Sequence, residues 1–160
     1  MRYETDAQGL IIAAGQKARM LGHSYVGSAH LLLALAQQQG VGGQMLRFAG
    51  FDPALAESMA AVVYGAGTAG LPLPLGYSNQ ARYVLRSARL EAQRLGCRQV
   101  GSAHILLALL RQEKCEARDL LILNNVDVEE LFSFTVEYLQ WGSAAPGRHV
   151  KEAVNTKLLV

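Results

Sequence analysis

The residues most able to do chemistry are His30 and His104, and they stand in two copies of one stretch. The first copy runs Val26-Gly27-Ser28-Ala29-His30-Leu31-Leu32-Leu33-Ala34-Leu35. The second runs Val100-Gly101-Ser102-Ala103-His104-Ile105-Leu106-Leu107-Ala108-Leu109, 74 positions later, and differs only by Ile105 for Leu31. Two equivalent histidines suggest a symmetric metal pair. Zinc needs three or four ligands, and no Cys, Asp or Glu stands at ligand spacing beside either one. They read as structural groups near helix starts. His23 and His149 have no motif around them. No nucleophile and base are sensibly spaced, and no Gly-x-x-x-x-Gly-Lys-Ser/Thr loop is present to cradle a nucleotide. The chain is expected to be no enzyme by itself and to need no cofactor or metal.

Ser28 and Ser102 precede the apolar runs, where a hydroxyl caps free helix amides. Their loss would cost about 1 kcal/mol each. The free amides also make these two helix starts candidate phosphate seats.

Arg82, Arg86 and Arg89 recur at i, i+4 and i+7 and form a basic stripe. Gln8, Ile12 and Gly15 fill the matching places in the first copy, so the stripe belongs to the second alone. It reads as a solvated face, or as a docking surface for an acidic partner or a phosphate. Nucleic acid is disfavoured by the small net charge of +2 and by the lack of interleaved aromatics. Tyr3 and Tyr77 each stand before the first helix of a copy. Each is either a hydrophobic staple or part of a partner-binding surface, and Tyr77 is expected beside the arginine stripe.

The duplication sets the frame that positions these groups. Ala7, Ala14, Ala18, Leu21 and Gly22 fall on Ala81, Ala88, Ala92, Leu95 and Gly96 under the same shift of 74. With 51% hydrophobic residues, many Ala and Leu and few aromatics, the 160-residue chain favours packed helices over sheet. Periodicity predicts helices over about 5–21, 29–38, 44–49 and 53–64, then 79–95, 103–112, 116–123 and 128–140. Gly40, Gly42 and Gly43 read as a break before the third. Asp52-Pro53 and Ser78 are helix starts, and Asp127 with Glu130 reads as a capping box. The expected fold is all-α, eight helices in two four-helix repeats about a pseudo-twofold axis. Repeat 1 spans residues 1–64, a linker rich in Gly and Pro 65–77, repeat 2 78–141, and a flexible tail 142–160. The two central helices are apolar nearly all round and should be buried. No signal peptide or membrane span is visible. Cys97 and Cys115 form no CxxC pair, which fits free thiols in a reducing cytoplasm.

A helix ending in Leu-Gly, then Gly-Ser-x-His-Leu/Ile-Leu-Leu, given twice, resembles the Clp N-terminal domain of ClpC/ClpA-type AAA+ unfoldases over residues 3–140. Asn155-Thr156-Lys157-Leu158-Leu159 resembles the segment leading into the first ATPase module. The resemblance implies a non-catalytic receptor in ATP-dependent proteolysis and the stress response. Its partners would be adaptor proteins, protein substrates, the ATPase module of the same parent chain and, indirectly, a Clp peptidase. An alternative is a free-standing accessory protein that docks on a Clp ATPase or peptidase. In ClpC-type domains the residue between Ser/Thr and His is usually a glutamate that pairs with the guanidinium of phosphoarginine. Ala29 and Ala103 stand there in this chain. Phosphoarginine binding by the family's mechanism is therefore not expected.

Overall fold

The computed structural model describes residues 1–65 and 76–142. Most of the expected linker, with Pro72 and Pro74, and the tail with Asn155–Leu159 lie outside the described residues. Among them are eight helices: α1 Thr5–Met20, α2 Ser28–Gln37, α3 Val41–Phe48, α4 Pro53–Tyr64, α5 Asn79–Arg94, α6 Ser102–Arg111, α7 Glu116–Leu123 and α8 Val128–Gly142. Two short strands, β1 Arg2–Tyr3 and β2 Gln99–Val100, pair in parallel. Among the described residues the fold is all-α apart from this two-residue ladder and one isolated bridge.

Local chemistry accounts for the boundaries. Gly22 and Gly96, 74 apart, take φ of 71° and 70° and stop α1 and α5. That left-handed turn is strained for a residue with a Cβ. Asp52 caps α4 by accepting from the amides of Ala54 at 3.0 Å and Leu55 at 3.3 Å, with Pro53 at the first helical position. Ser78 caps α5 through the Ala81 amide, and Asp127 accepts from the amide of Glu130.

Gly42 and Gly43 are not a break. They lie in the first turn of α3, which begins at Val41. A Cβ on Gly42 would stand 2.8 Å from the carbonyl oxygen of Ser102, and one on Gly43 2.5 Å from that of Gln38. Glycine is needed here because backbone meets backbone, not to end a helix. The 74-residue offset also grows to 75 from this point, since α3 begins at Val41 and α7 at Glu116.

The central helices α2 and α6 are buried along nearly their whole length. The repeats interlock. Helix α3 of the first packs on α6 and α8 of the second, and α7 of the second packs on α2 and α4 of the first. The leading segments also cross over. Tyr3 registers with Val100, and Tyr77 forms the matching bridge with Val26. One continuous core results, running from Ala7, Leu10 and Leu31–Leu35 through Leu46 to Ile105, Leu106, Leu109, Leu120 and Leu121.

Candidate functional site

Ser28 and Ser102 are first helical residues rather than caps. The capping positions belong to Gly27 and Gly101. Both serines are buried, and each hydroxyl accepts from the other repeat. Ser28 Oγ takes the Ala117 amide of α7 at 3.2 Å, and Ser102 Oγ takes the Gly42 amide of α3 at 3.1 Å. Helices α3 and α7 have no side-chain cap of their own. The serines therefore satisfy first-turn donors across the interlock.

The histidines complete the helix starts. The Gly27 amide donates to His30 Nδ1 at 2.8 Å, and the Gly101 amide to His104 Nδ1 at 2.9 Å. Each Nδ1 must then be bare and each Nε2 must carry the hydrogen. In the first repeat the chain of donors continues. His30 Nε2 donates to His23 Nδ1 at 2.7 Å, and His23 Nε2 donates to the Gly65 carbonyl at 2.7 Å. Burial first, and His23 second, push the His30 imidazole down to about 4. Cys97 takes the place of His23 in the second repeat, with its thiol toward the Leu95 carbonyl. His104 Nε2 is left buried without a partner. Burial lowers this imidazole too, against Asp6 and Glu91, which raise it. Nothing around His23 in the sequence reveals the relay beyond its seven-residue spacing to His30.

Two related cavities open beside these helix starts. One, about 180 Å³, is lined by His23, Tyr25, Gly27, His30, Ser78 and Glu116 among others. The other, about 330 Å³, is lined by Glu4, Asp6, Cys97, Gly101, Ala103 and His104 among others. Carboxylates stand where the candidate phosphate seats lie. Glu116 Oε2 is 3.0 Å from the point a Gly27 Cβ would occupy, and Glu4 Oε2 is 2.6 Å from that point on Gly101. The Ser102 amide already donates to both Asp6 carboxylate oxygens at 3.3 Å. This arrangement opposes a phosphate at either start. Ala29 and Ala103 are 2% and 3% exposed, and neither methyl offers a charge.

Arg82, Arg86 and Arg89 lie exposed along α5. It is Tyr3, not Tyr77, that meets the stripe, because the leading segments cross between repeats. The Arg89 guanidinium lies 5.5 Å from the Tyr3 ring centre, and the Tyr3 hydroxyl donates to the Leu85 carbonyl at 3.3 Å. Both tyrosines are half-buried against the core. On the adjoining face of α5 a groove of about 570 Å³ runs toward α6, lined by Tyr83, Leu90, Arg94, Arg111 and Lys114 among others. Its floor holds Glu91, 2% exposed and ion-paired with Arg94 and Arg111. Sequence reasoning missed this groove, because Tyr83 and Leu90 look like strays from the core face.

A doubled four-helix unit with exchanged leading segments and a buried histidine at each central helix start defines the class of molecule: a double-repeat helical domain. The chain belongs to the Clp repeat N-terminal domain family, whose family model matches residues 2–122 and again 76–153. It is 34% identical over 120 residues to the chloroplastic chaperone protein ClpC3 of Oryza sativa subsp. japonica, covering 74% of this chain and 13% of that protein. It is 31% identical over 112 residues to the chloroplastic ClpC of Pisum sativum, covering 69% of this chain and 12% of that one. The chain thus spans about an eighth of the length of these relatives. Its fold is that of the N-terminal domain of the chaperone ClpD from Arabidopsis thaliana, with a TM-score of 0.72 at 18% identity, covering 88% of this chain and 96% of that one. The Hsp104 N-terminal domain from Candida albicans is equally similar, at 0.72 and 21% identity, over 94% of this chain and 99% of that one. No helix among the described residues is long and apolar enough to cross a membrane.

Proposed function

We propose that this domain is the substrate- and adaptor-receiving part of a Clp unfoldase, itself without catalytic activity. In this reading it hands polypeptides to an ATPase module of the same parent chain and, through it, to a Clp peptidase. The observation that carries the reading is the family match over both repeats, joined to ClpC-type relatives of which such a domain is a small part. A reducing compartment suits its two free thiols.

In this reading the second repeat supplies the docking surface. Between residues 76 and 114 stand Arg82, Arg86, Arg89, Arg94, Arg98, Arg111 and Lys114, against only Glu91 and Glu113. Tyr83 and Leu90 are 61% and 51% exposed within that field. Large apolar side chains rimmed by cations suit an acidic segment that also carries apolar residues. The test is a titration of the isotope-labelled chain with a permanently unfolded acidic protein such as casein, read by amide shifts. Salt-sensitive shifts clustered on α5 and α6, and lost in an Arg82→Glu, Arg86→Glu, Lys114→Glu variant, are expected. No saturable shifts anywhere on the domain would overturn the reading.

A further inference from the structure

The two cavities at the helix starts follow one plan and have diverged. In the first, the polar groups satisfy one another through the relay from Gly27 to His30, His23 and Gly65. In the second, Cys97 ends the relay. His104 is 3% exposed, its Nε2 has no partner, and the Gly101 amide on Nδ1 makes that Nε2 a donor. A donor left unsatisfied at such depth is costly, and an acceptor brought to it through the cavity relieves that cost. Across the same cavity stand two carboxylates. Asp6 uses part of its accepting capacity on the Ser102 amide, and a carboxylate has about four lone-pair sites. The Glu4 carboxylate overhangs Gly101 and caps no amide of α1. Burial, with Asp6 second, raises its pKa, as expected for acids crowded together without a cation. Val41, Tyr138 and Leu139 add an apolar wall.

The wall pattern selects a ligand. Two negatively charged acceptors attract an ammonium, and one neutral N–H donor nearby attracts a carbonyl oxygen. An anion is repelled. A metal ion would need a bare nitrogen, and no cluster of three or more ligating side chains exists among the described residues. We propose that this cavity binds the free amino terminus of a polypeptide. The terminal ammonium sits between Glu4 and Asp6, the first carbonyl oxygen accepts from His104 Nε2, and the first side chain lies against Val41 and Leu139. The cavity's roughly 330 Å³ is at the small end of ligand sites, enough for one or two residues of a chain end. This inference rests on the receptor reading and gives it a specific ligand.

The test uses the whole chain with labelled histidines and three short peptides. One has a free amino terminus and an apolar first residue. The second is its N-acetylated twin. The third is acetylated and carries an internal lysine. Only the first is expected to shift the His104 ring signals saturably. Glu4→Gln should weaken it at least tenfold. Cys97→His should do the same, by giving His104 the partner that His23 gives His30. Equal binding of either acetylated peptide would overturn the assignment, as would undiminished binding to Cys97→His. The casein titration reads the α5–α6 face, so the receptor reading can stand where this one falls.

Discussion

At the scale of single residues, His30 links structure to pH. Its folded imidazole titrates near 4, below the usual value of about 6.5. Between those values the unfolded chain binds a proton that the folded chain refuses. Stability from this group is therefore complete above about pH 6.5 and falls as pH drops toward 4, by roughly 1.4 kcal/mol per unit at most. Glu116, raised by burial against the lowering effect of His23, works in the opposite sense, with stability rising as pH falls through its folded pKa toward its usual value. Denaturant melts of the parent and His30→Gln at pH 7 and 5.5 separate the two, and the parent should lose about 1 kcal/mol more than the variant. Equal losses would contradict the neutral relay. A second expectation concerns phosphoarginine. Ala103→Glu alone would set a third carboxylate beside Glu4 and Asp6, so calorimetry should find the compound still bound weakly. Adding Glu4→Gln to that change should tighten it about tenfold, near 1.4 kcal/mol. Tight binding to the unaltered chain would show that recognition runs through other groups.

At the scale of elements, Ser28 and Ser102 fasten α7 and α3 to the opposite repeat. Truncating either hydroxyl leaves a buried first-turn amide without an acceptor, which costs about 1–3 kcal/mol. Ser28→Ala and Ser102→Ala should each lower the denaturant midpoint accordingly. Faster amide exchange is expected at the start of α7 in the first variant and of α3 in the second. Exchange that quickened only in the mutated serine's own helix would restore the simple cap that the sequence suggests. Much at this scale was legible beforehand. Asp52-Pro53, Ser78 and Asp127 mark helix starts by their own chemistry, and the apolar runs after Gly27 and Gly101 announce buried helices. The start of the third helix is misplaced in the sequence because Gly42 and Gly43 look like punctuation, while Gly42 meets Ser102, sixty residues on, and Gly43 meets the Leu35 and Gln38 carbonyls. The exchange of partners was not legible at all. A duplication says which residues are equivalent and not which copy they touch. For the same reason Tyr3, rather than Tyr77, meets the arginine stripe.

At the scale of the whole molecule, interlocking turns two repeats into one body with a single core. Within it the copies are free to differ at their surfaces. The buried charge of the first is Lys17, paired with Glu57, and its counterpart in the second is Glu91, paired with Arg94 and Arg111. One cavity is lined by two hydrogen-bonded histidines and the other by a lone histidine and two carboxylates, while the basic stripe belongs to the second repeat alone. Such asymmetry suits a receptor that meets unlike partners on one rigid frame. The most direct test fuses residues 1–160 to a ClpC-type ATPase ring stripped of its own N-terminal domain and follows ATP-driven unfolding of casein fused to a fluorescent protein. The account predicts that the fusion unfolds this substrate several-fold faster than the stripped ring at equal ATPase rate, and that Arg82→Glu, Arg86→Glu, Lys114→Glu removes most of the gain. Unfolding no faster than that of the stripped ring, with ATPase intact, would contradict it.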